Sequence, residues 1–156
     1  MKHLNKIGKA EINALNDCYQ GNINEALKKV EAGYPIQYLI GYVDFYNTKI
    51  KVNKNVLIPR FETEYLVEKA IKYLKNKKVN SGIDICTGSG CIAIALKKNL
   101  DIDMDACDIS ILALDLAKVN AKENQTEINF FEKNILKENI EKKYNFIISN
   151  PPYVKK

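Results

Sequence analysis

One histidine, His3, and one arginine, Arg60, stand in 156 residues, and the four cysteines form no CxxC pair. With Cys18, Cys86, Cys91 and Cys107 scattered and no second histidine available, no zinc-ligand spacing exists, and no metal site is expected. Cys86, Cys91 and Cys107 lie in or beside apolar segments, where a free thiol behaves as a small hydrophobe; reduced cysteines point to a cytoplasmic protein. No apolar run approaches the ~20 residues of a membrane span, and the N-terminus lacks a signal-peptide core, so no membrane partner is expected. Seven glycines and four prolines exclude collagen-like and low-complexity chains. A chain of this length buries roughly two-thirds of its unfolded surface and needs no disulfide or metal to hold a core.

What is abundant is lysine. The formal net charge is +5, but apart from Arg60 every one of the 24 basic residues is lysine, and they are scattered. Short clusters at 75–78 and 142–143 make no basic stripe, so nucleic acid is not expected as a direct substrate.

Three segments follow along the chain. Residues 1–33 read as a short helical segment, clearest over Asn24–Ala32, with Ala26, Leu27 and Val30 on one face and Gly33 as its stop. Residues 34–80 begin rich in Tyr, Val, Phe and Ile. Asn47-Thr48 between two apolar runs predicts a hairpin, and a linker helix follows from about Thr63 to Lys75. From Ser81 the pattern is strand, helix, strand, helix, strand, short helix, strand: Ile83–Cys86, Cys91–Lys98, Asp103–Cys107, a helix capped by Ser110 and running to about Glu123, Ile128–Phe131, and Asn145–Ser149. In the second helix Ala113, Leu116, Ala117 and Asn120 fall in series. This alternation predicts an α/β fold with a parallel, Rossmann-like sheet, of which 81–156 holds the first four strands.

Two features between these elements carry chemistry. Asp84-Ile85-Cys86-Thr87-Gly88-Ser89-Gly90 joins a strand to a helix, where glycines let backbone N–H groups approach a ligand and the helix N-terminus favours an anionic group. The stretch is neither a full G-x-G-x-x-G nor a P-loop, and a plain tight turn would also explain it. Asp108 ends the next strand, 18 residues after Gly90, where a carboxylate can accept hydrogen bonds from two ribose hydroxyls or simply begin the following helix. Together they point to a nucleoside ligand.

The last strand runs into Asn150-Pro151-Pro152-Tyr153. Prolines stop a strand, but they also make a stiff segment whose carbonyls seek other donors. The Asn150 side-chain oxygen and the Pro151 carbonyl can accept both hydrogens of a flat NH2 group while Tyr153 stacks on its plane. Such a clamp favours a nitrogen turning pyramidal and positive as it is methylated.

These motifs together resemble the class I S-adenosylmethionine-dependent methyltransferases that modify amino groups. More narrowly, the chain is similar to the protein-(glutamine-N5) methyltransferases of the PrmC/HemK family, which methylate a glutamine of peptide chain release factors. The resemblance spans about residues 33–154 and rests on Gly33-Tyr34-Pro35-Ile36-Gln37-Tyr38-Leu39-Ile40-Gly41, Leu57-Ile58-Pro59-Arg60-Phe61-Glu62-Thr63-Glu64, the glycine turn, Asp108 and Asn150–Tyr153. It implies S-adenosylmethionine as cofactor, with Cys86, Thr87, Gly88, Ser89 and Gly90 around its methionine end and Asp84 near its amino group. Asp108 would hold the ribose, Asn134 and Ile135 would lie beside the adenine, and Asn150 would reach both cofactor and substrate. Cys86 stands where the commoner motif has glycine. Arg60, Glu62 and Glu64 are read as supporting residues that brace the mouth of the site, with Arg60 suited to a planar, multidentate contact.

Other readings stay open. N-P-P-Y alone also fits DNA amino-methyltransferases, although no target-recognition region is evident. The family's sheet continues past this motif, so the chain is expected to be truncated at its C-terminal side and could be a catalytically incomplete fragment. Strand Asn145–Ser149 then becomes an edge, inviting self-association.

Overall fold

The computed structural model describes residues 8–152. Its elements are α1 (Lys9–Cys18), α2 (Ile23–Glu31), α3 (Ile36–Ile40), β1 (Tyr42–Phe45), β2 (Thr48–Lys51), α4 (Phe61–Leu74), β3 (Ser81–Ile85), α5 (Cys91–Asn99), β4 (Asp103–Asp108), α6 (Ile111–Glu123), β5 (Asn129–Glu132) and β6 (Phe146–Ser149). No described helix is long and apolar enough to cross a membrane.

The helix expected over Asn24–Ala32 is α2, started by Asn22, whose side chain accepts the Glu25 amide at 3.3 Å. Gly33 ends it at φ +90, and the amides of Gly33 and Tyr34 turn back onto the carbonyls of Val30 and Lys29. The strand-like composition after Gly33 misleads over Ile36–Ile40, which form the short helix α3. Pro35 at φ −61 suits the residue before a first turn, and Gly41 closes the helix at φ +87. The hairpin is as expected. Tyr46 and Asn47, both at positive φ, make the two-residue turn between Phe45 and Thr48, matching the right-handed twist of the strands.

Strands β3 to β6 form one parallel sheet in the order β5-β4-β3-β6. The chain works outward from β3 to β5 and then returns to the other side of β3, so the sheet has its switch point between β3 and β6. Open α/β sheets place ligands outside the strand C-termini at such a point. The expected short helix between β5 and β6 is a single turn instead. The amides of Lys137 and Glu138 both bond the Asn134 carbonyl at 2.9 Å, and the Asn134 side chain accepts from Leu136, so the local side-chain bond competes with continued helix. On β6, Ile148 is buried while Ile147 is 66% exposed on the opposite face, and the outer side of the strand has no partner among the described residues.

The first six residues of α5 are apolar because they are covered on every side. The helix packs on β3 and β4, against α4 and α6, and under β2 of the hairpin, and Cys91 to Leu96 are all buried. The hairpin is fastened there by Asn120 of α6. Its Oδ1 accepts the Lys51 amide at 2.8 Å, and its Nδ2 donates to the Lys51 carbonyl at 3.0 Å and the Ser89 carbonyl at 2.9 Å. Asn124, one turn on, donates to the Lys49 carbonyl. At the foot of β3, Gly82 is required by the Phe146 ring, which occupies the space a Cβ would take.

Asn120→Ala should lower unfolding free energy by about 2–3 kcal/mol, since it leaves buried backbone groups of Lys51 and Ser89 unpaired. Urea titration measures this; a loss under about 1 kcal/mol would mean that packing alone holds the hairpin.

Candidate functional site

Strand β3 is followed by a turn that three residues in the left-handed region make possible: Cys86 at φ +61, Gly88 at φ +55 and Gly90 at φ +81. A Cβ on Gly90 would crowd Ala117 of α6 at 3.1 Å, so this glycine serves helix packing. A Cβ on Gly88 would meet nothing within 4 Å. The backbone there faces open space, which is the cradle a ligand needs. Cys86 holds the glycine-like conformation with a side chain attached, at a cost of roughly 1–2 kcal/mol.

The turn is pinned from beneath. Thr87 donates its amide to the Cys107 carbonyl at 3.0 Å and its hydroxyl to Asp84 Oδ2 at 2.6 Å. Asp108 accepts the Gly88 amide on Oδ2 at 2.9 Å and the Ser110 amide on Oδ1 at 3.0 Å. Asp108 thus leads into the Ser110 cap of α6, and each of its oxygens keeps a lone pair. Asp84 is fully buried, and its Oδ1 has no hydrogen-bond partner among the described residues. Burial pushes its pKa up to about 7, against the opposing pull of the Thr87 hydroxyl. Burial likewise raises the thiols of Cys86, Cys91 (to about 12) and Cys107 (to about 11), so they remain protonated near neutrality.

A cavity opens above the turn. Leu57–Arg60 and Thr63 form one wall, Cys86–Ser89 with Cys91 and Ile92 form the other, and Asn150 lies between them. Asn150 reaches this place because β6 pairs with β3 in parallel, Ile85 opposite Ser149, and the Ser149 hydroxyl donates to the Ile85 carbonyl at 2.6 Å. A second cavity on the far side of Asn150 is lined by Arg60, Glu62, Thr63 and Leu66. The two cavities share Asn150, Thr63 and Arg60. Asn150 donates Nδ2 to the Thr63 hydroxyl at 3.1 Å, which joins the end of the sheet to the first turn of α4.

The fold thus brings Asp84, Cys86, Thr87, Gly88, Ser89, Asp108 and Asn150 to one end of the sheet. Asn134 and Ile135 follow β5 and do not line the cavity above the turn, although the Lys133 amide bonds the Asp108 carbonyl and keeps this loop next to Asp108. Pro151 and Pro152 are exposed, and Tyr153 lies outside the described residues. Arg60 lines both cavities, and its guanidinium makes none of the multidentate contacts expected of it among the described residues. Glu62 faces the second cavity; Glu64 is half-buried and lines neither. Sequence reasoning missed Thr63, which lines both cavities. It stands inside the Pro-Arg-Phe-Glu-Thr-Glu stretch, whose charged residues drew attention away from it.

Residues 63–156 match the family model of the methyltransferase small domain. The release factor glutamine methyltransferase of Flavobacterium psychrophilum is 49% identical over 129 residues, 78% of this chain and 44% of that protein. The chain spans about half the length of the curated relatives it matches. Among solved structures, the tRNA (uracil-54, C5)-methyltransferase of Pyrococcus abyssi in complex with S-adenosyl-L-homocysteine superposes with a TM-score of 0.60 at 18% identity, covering 72% of this chain and 28% of that one. The ribosomal protein L11 methylase of Lactobacillus delbrueckii subsp. bulgaricus gives 0.55 at 26% identity, with 65% and 52% covered.

A carboxyl whose pKa rises from 3.8 unfolded to about 7 folded binds its proton more tightly in the native state. Its stabilising contribution is full below about pH 4 and is lost as pH rises through 7. Asp84→Asn should therefore flatten the fall of unfolding free energy between pH 5 and pH 7.5, measured by urea titration at several pH values. Parallel wild-type and variant curves would show that Asp84 is not held protonated by burial.

Proposed function

Because the chain belongs to the methyltransferase small domain family, we propose that it transfers a methyl group from S-adenosylmethionine to the side-chain amide nitrogen of a glutamine, with a class 1 peptide chain release factor as the protein substrate. The observation that carries this reading is the position of Asn150. It opens the Asn-Pro-Pro-Tyr segment between the cavity above the glycine turn and the second cavity beside α4. The names of the matched relatives support the choice of glutamine and of release factor over a nucleic-acid base.

The residues present fit the cofactor on two counts. The open space above Gly88 admits a ligand against the backbone, and the unpartnered buried oxygen of Asp84 awaits a donor. Thr87, Gly88, Ser89 and Gly90 with Cys86 would hold the methionine end, and Asp84 its amino group. Asp108 would take the ribose, and Asn134 and Ile135 would lie toward the adenine. When bound, the cofactor supplies a methyl group already activated on a sulfonium, so positioning accounts for much of the catalysis.

The chain's own residues do the rest at the acceptor. Asn150 Oδ1 and the Pro151 carbonyl accept the two hydrogens of the acceptor nitrogen. As that nitrogen becomes pyramidal and cationic the two bonds strengthen, which stabilises the transition state more than the ground state. Tyr153 is assigned stacking on the amide plane. In this reading 81–156 carries the methyl-transfer machinery, 34–80 braces its mouth through Arg60, Glu62 and Glu64, and 1–33 contributes to substrate docking in the cytoplasm. We also infer self-association along the outer side of β6, whose edge has no partner strand among the described residues and whose Ile147 is exposed.

Incubation with labelled S-adenosylmethionine and a release factor should label the protein at one glutamine, and Asn150→Ala should lower the rate by about 100-fold or more. Label that persists when that glutamine is substituted, or that appears on DNA instead, would overturn the reading. Sedimentation velocity should show dimers or larger species at micromolar concentration; a monomer across that range would remove the inferred association.

A further inference from the structure

We propose that Thr63 is the positioning residue that holds the Asn150 side chain in place, an inference that rests on the reading of Asn150 as the acceptor clamp. Helix α4 buries Thr63, Val67, Ile71 and Leu74, one stripe at i, i+4, i+8 and i+11. A threonine therefore stands where the periodicity of the helix asks for an apolar residue, and it is only 7% exposed. A hydroxyl in that environment costs free energy unless it is hydrogen-bonded. Its partner is Asn150 Nδ2 at 3.1 Å, across 87 residues of sequence.

The consequence concerns the other end of the amide. The oxygen and nitrogen of an asparagine side chain are nearly the same size, and a half-turn about the last torsion exchanges them. Only the oxygen can accept a hydrogen from the acceptor nitrogen; the NH2 group presented there would meet another NH2 group, donor against donor. With Nδ2 bonded to the Thr63 hydroxyl, Oδ1 is left for the incoming amide. The hydroxyl can donate as well as accept, so the acceptor's own hydrogens select this sense of the amide while Thr63 keeps its far end bonded and in place. The backbone of Asn150 is already fixed by the pairing of Ile85 with Ser149 and the Ser149 hydroxyl bond. What remains free is the side-chain rotation, and the bond to Thr63 restrains it. Thr63 also lines both cavities that share Asn150.

The test uses Thr63→Val, which keeps the shape of the buried stripe and removes only the hydroxyl, with Thr63→Ser as the conservative rescue. Side-chain 15N NMR of Asn150 reads the contact directly. Exchange of the Nδ2 hydrogens with water should be slow in the wild type and in T63S, and at least about 10-fold faster in T63V. In methyl transfer to the release factor, T63V should lose about 10–100-fold in kcat, with KM for S-adenosylmethionine unchanged and T63S close to wild type. Unchanged Asn150 exchange in T63V, or unchanged kcat in an active wild type, would overturn the proposal. A wild type that methylates no glutamine would instead overturn the functional reading, and the exchange measurement would still decide whether Thr63 holds Asn150.

Discussion

The side-chain amide of Asn120 is the joint on which the arrangement of layers depends. Fully buried on α6, it spends both hydrogens and its oxygen on backbone groups of β2 and of the glycine turn. Asn124 on the Lys49 carbonyl and Lys51 beside Glu123 add to this on the hairpin, but among the described residues Asn120 alone bonds both the hairpin and the turn. The pair of bonds to Lys51 imitates the bonds of a neighbouring strand, so the hairpin docks on α6 in one register. The third bond fixes Ser89, and with it the height of the turn above the sheet. Once the hairpin is in place the first six residues of α5 have no face left to water, and they read Cys-Ile-Ala-Ile-Ala-Leu before the exposed Lys98 and Asn99.

Asp84 is the contrasting case. Both residues are buried polar groups, but Asn120 is satisfied by the fold and Asp84 is satisfied only on one oxygen. A protein that needed Asp84 solely to hold Thr87 could do so with a neutral amide at lower desolvation cost. The incomplete pairing and raised pKa of Asp84, buried near the end of β3, and the left-handed backbone of Cys86 on the turn occur within a few residues of each other. Departures from local optimum concentrated in this way mark a place where the chain is shaped for a ligand.

Much of the sheet domain was legible because its elements are bounded by residues with strong local preferences. Ser110 caps α6 and the glycines close the first turn, so the four strands, α5 and α6 fall within one or two residues of expectation, while the short helix expected between β5 and β6 is a single turn. Helix α3 was not legible, since five residues of Ile, Gln, Tyr, Leu and Ile carry no periodicity that separates helix from strand. Asn120 was visible as one member of an apolar series without any sign that it was the member that mattered. Of the candidate site, the turn at Gly88 and the strand end at Asp108 were legible as backbone features, because those are dictated by local conformation and strand ends. Thr63 was not, because its meaning comes from a residue 87 positions away. A threonine on an apolar stripe is a local inconsistency, and it gains a reason only when the partner that relieves it is known.

That partner arrives through register. Ile85 pairs with Ser149 in parallel, so the residues that leave the two strands, Cys86 and Asn150, emerge side by side at the same end of the sheet. A slip of one residue in this pairing would turn Ile148 outward and Ile147 inward, and would carry Asn150 away from both Thr63 and the turn. Three contacts oppose the slip: the buried side chain of Ile148, the Ser149 hydroxyl on the Ile85 carbonyl, and the Phe146 ring over Gly82. They lie along the whole length of β6, and none of them lines the cavity above the turn. The geometry of the proposed methyl transfer is thus set by strand pairing between two segments far apart in sequence. The glycine at 82, remote from the cavity, belongs to the same constraint as the asparagine at 150.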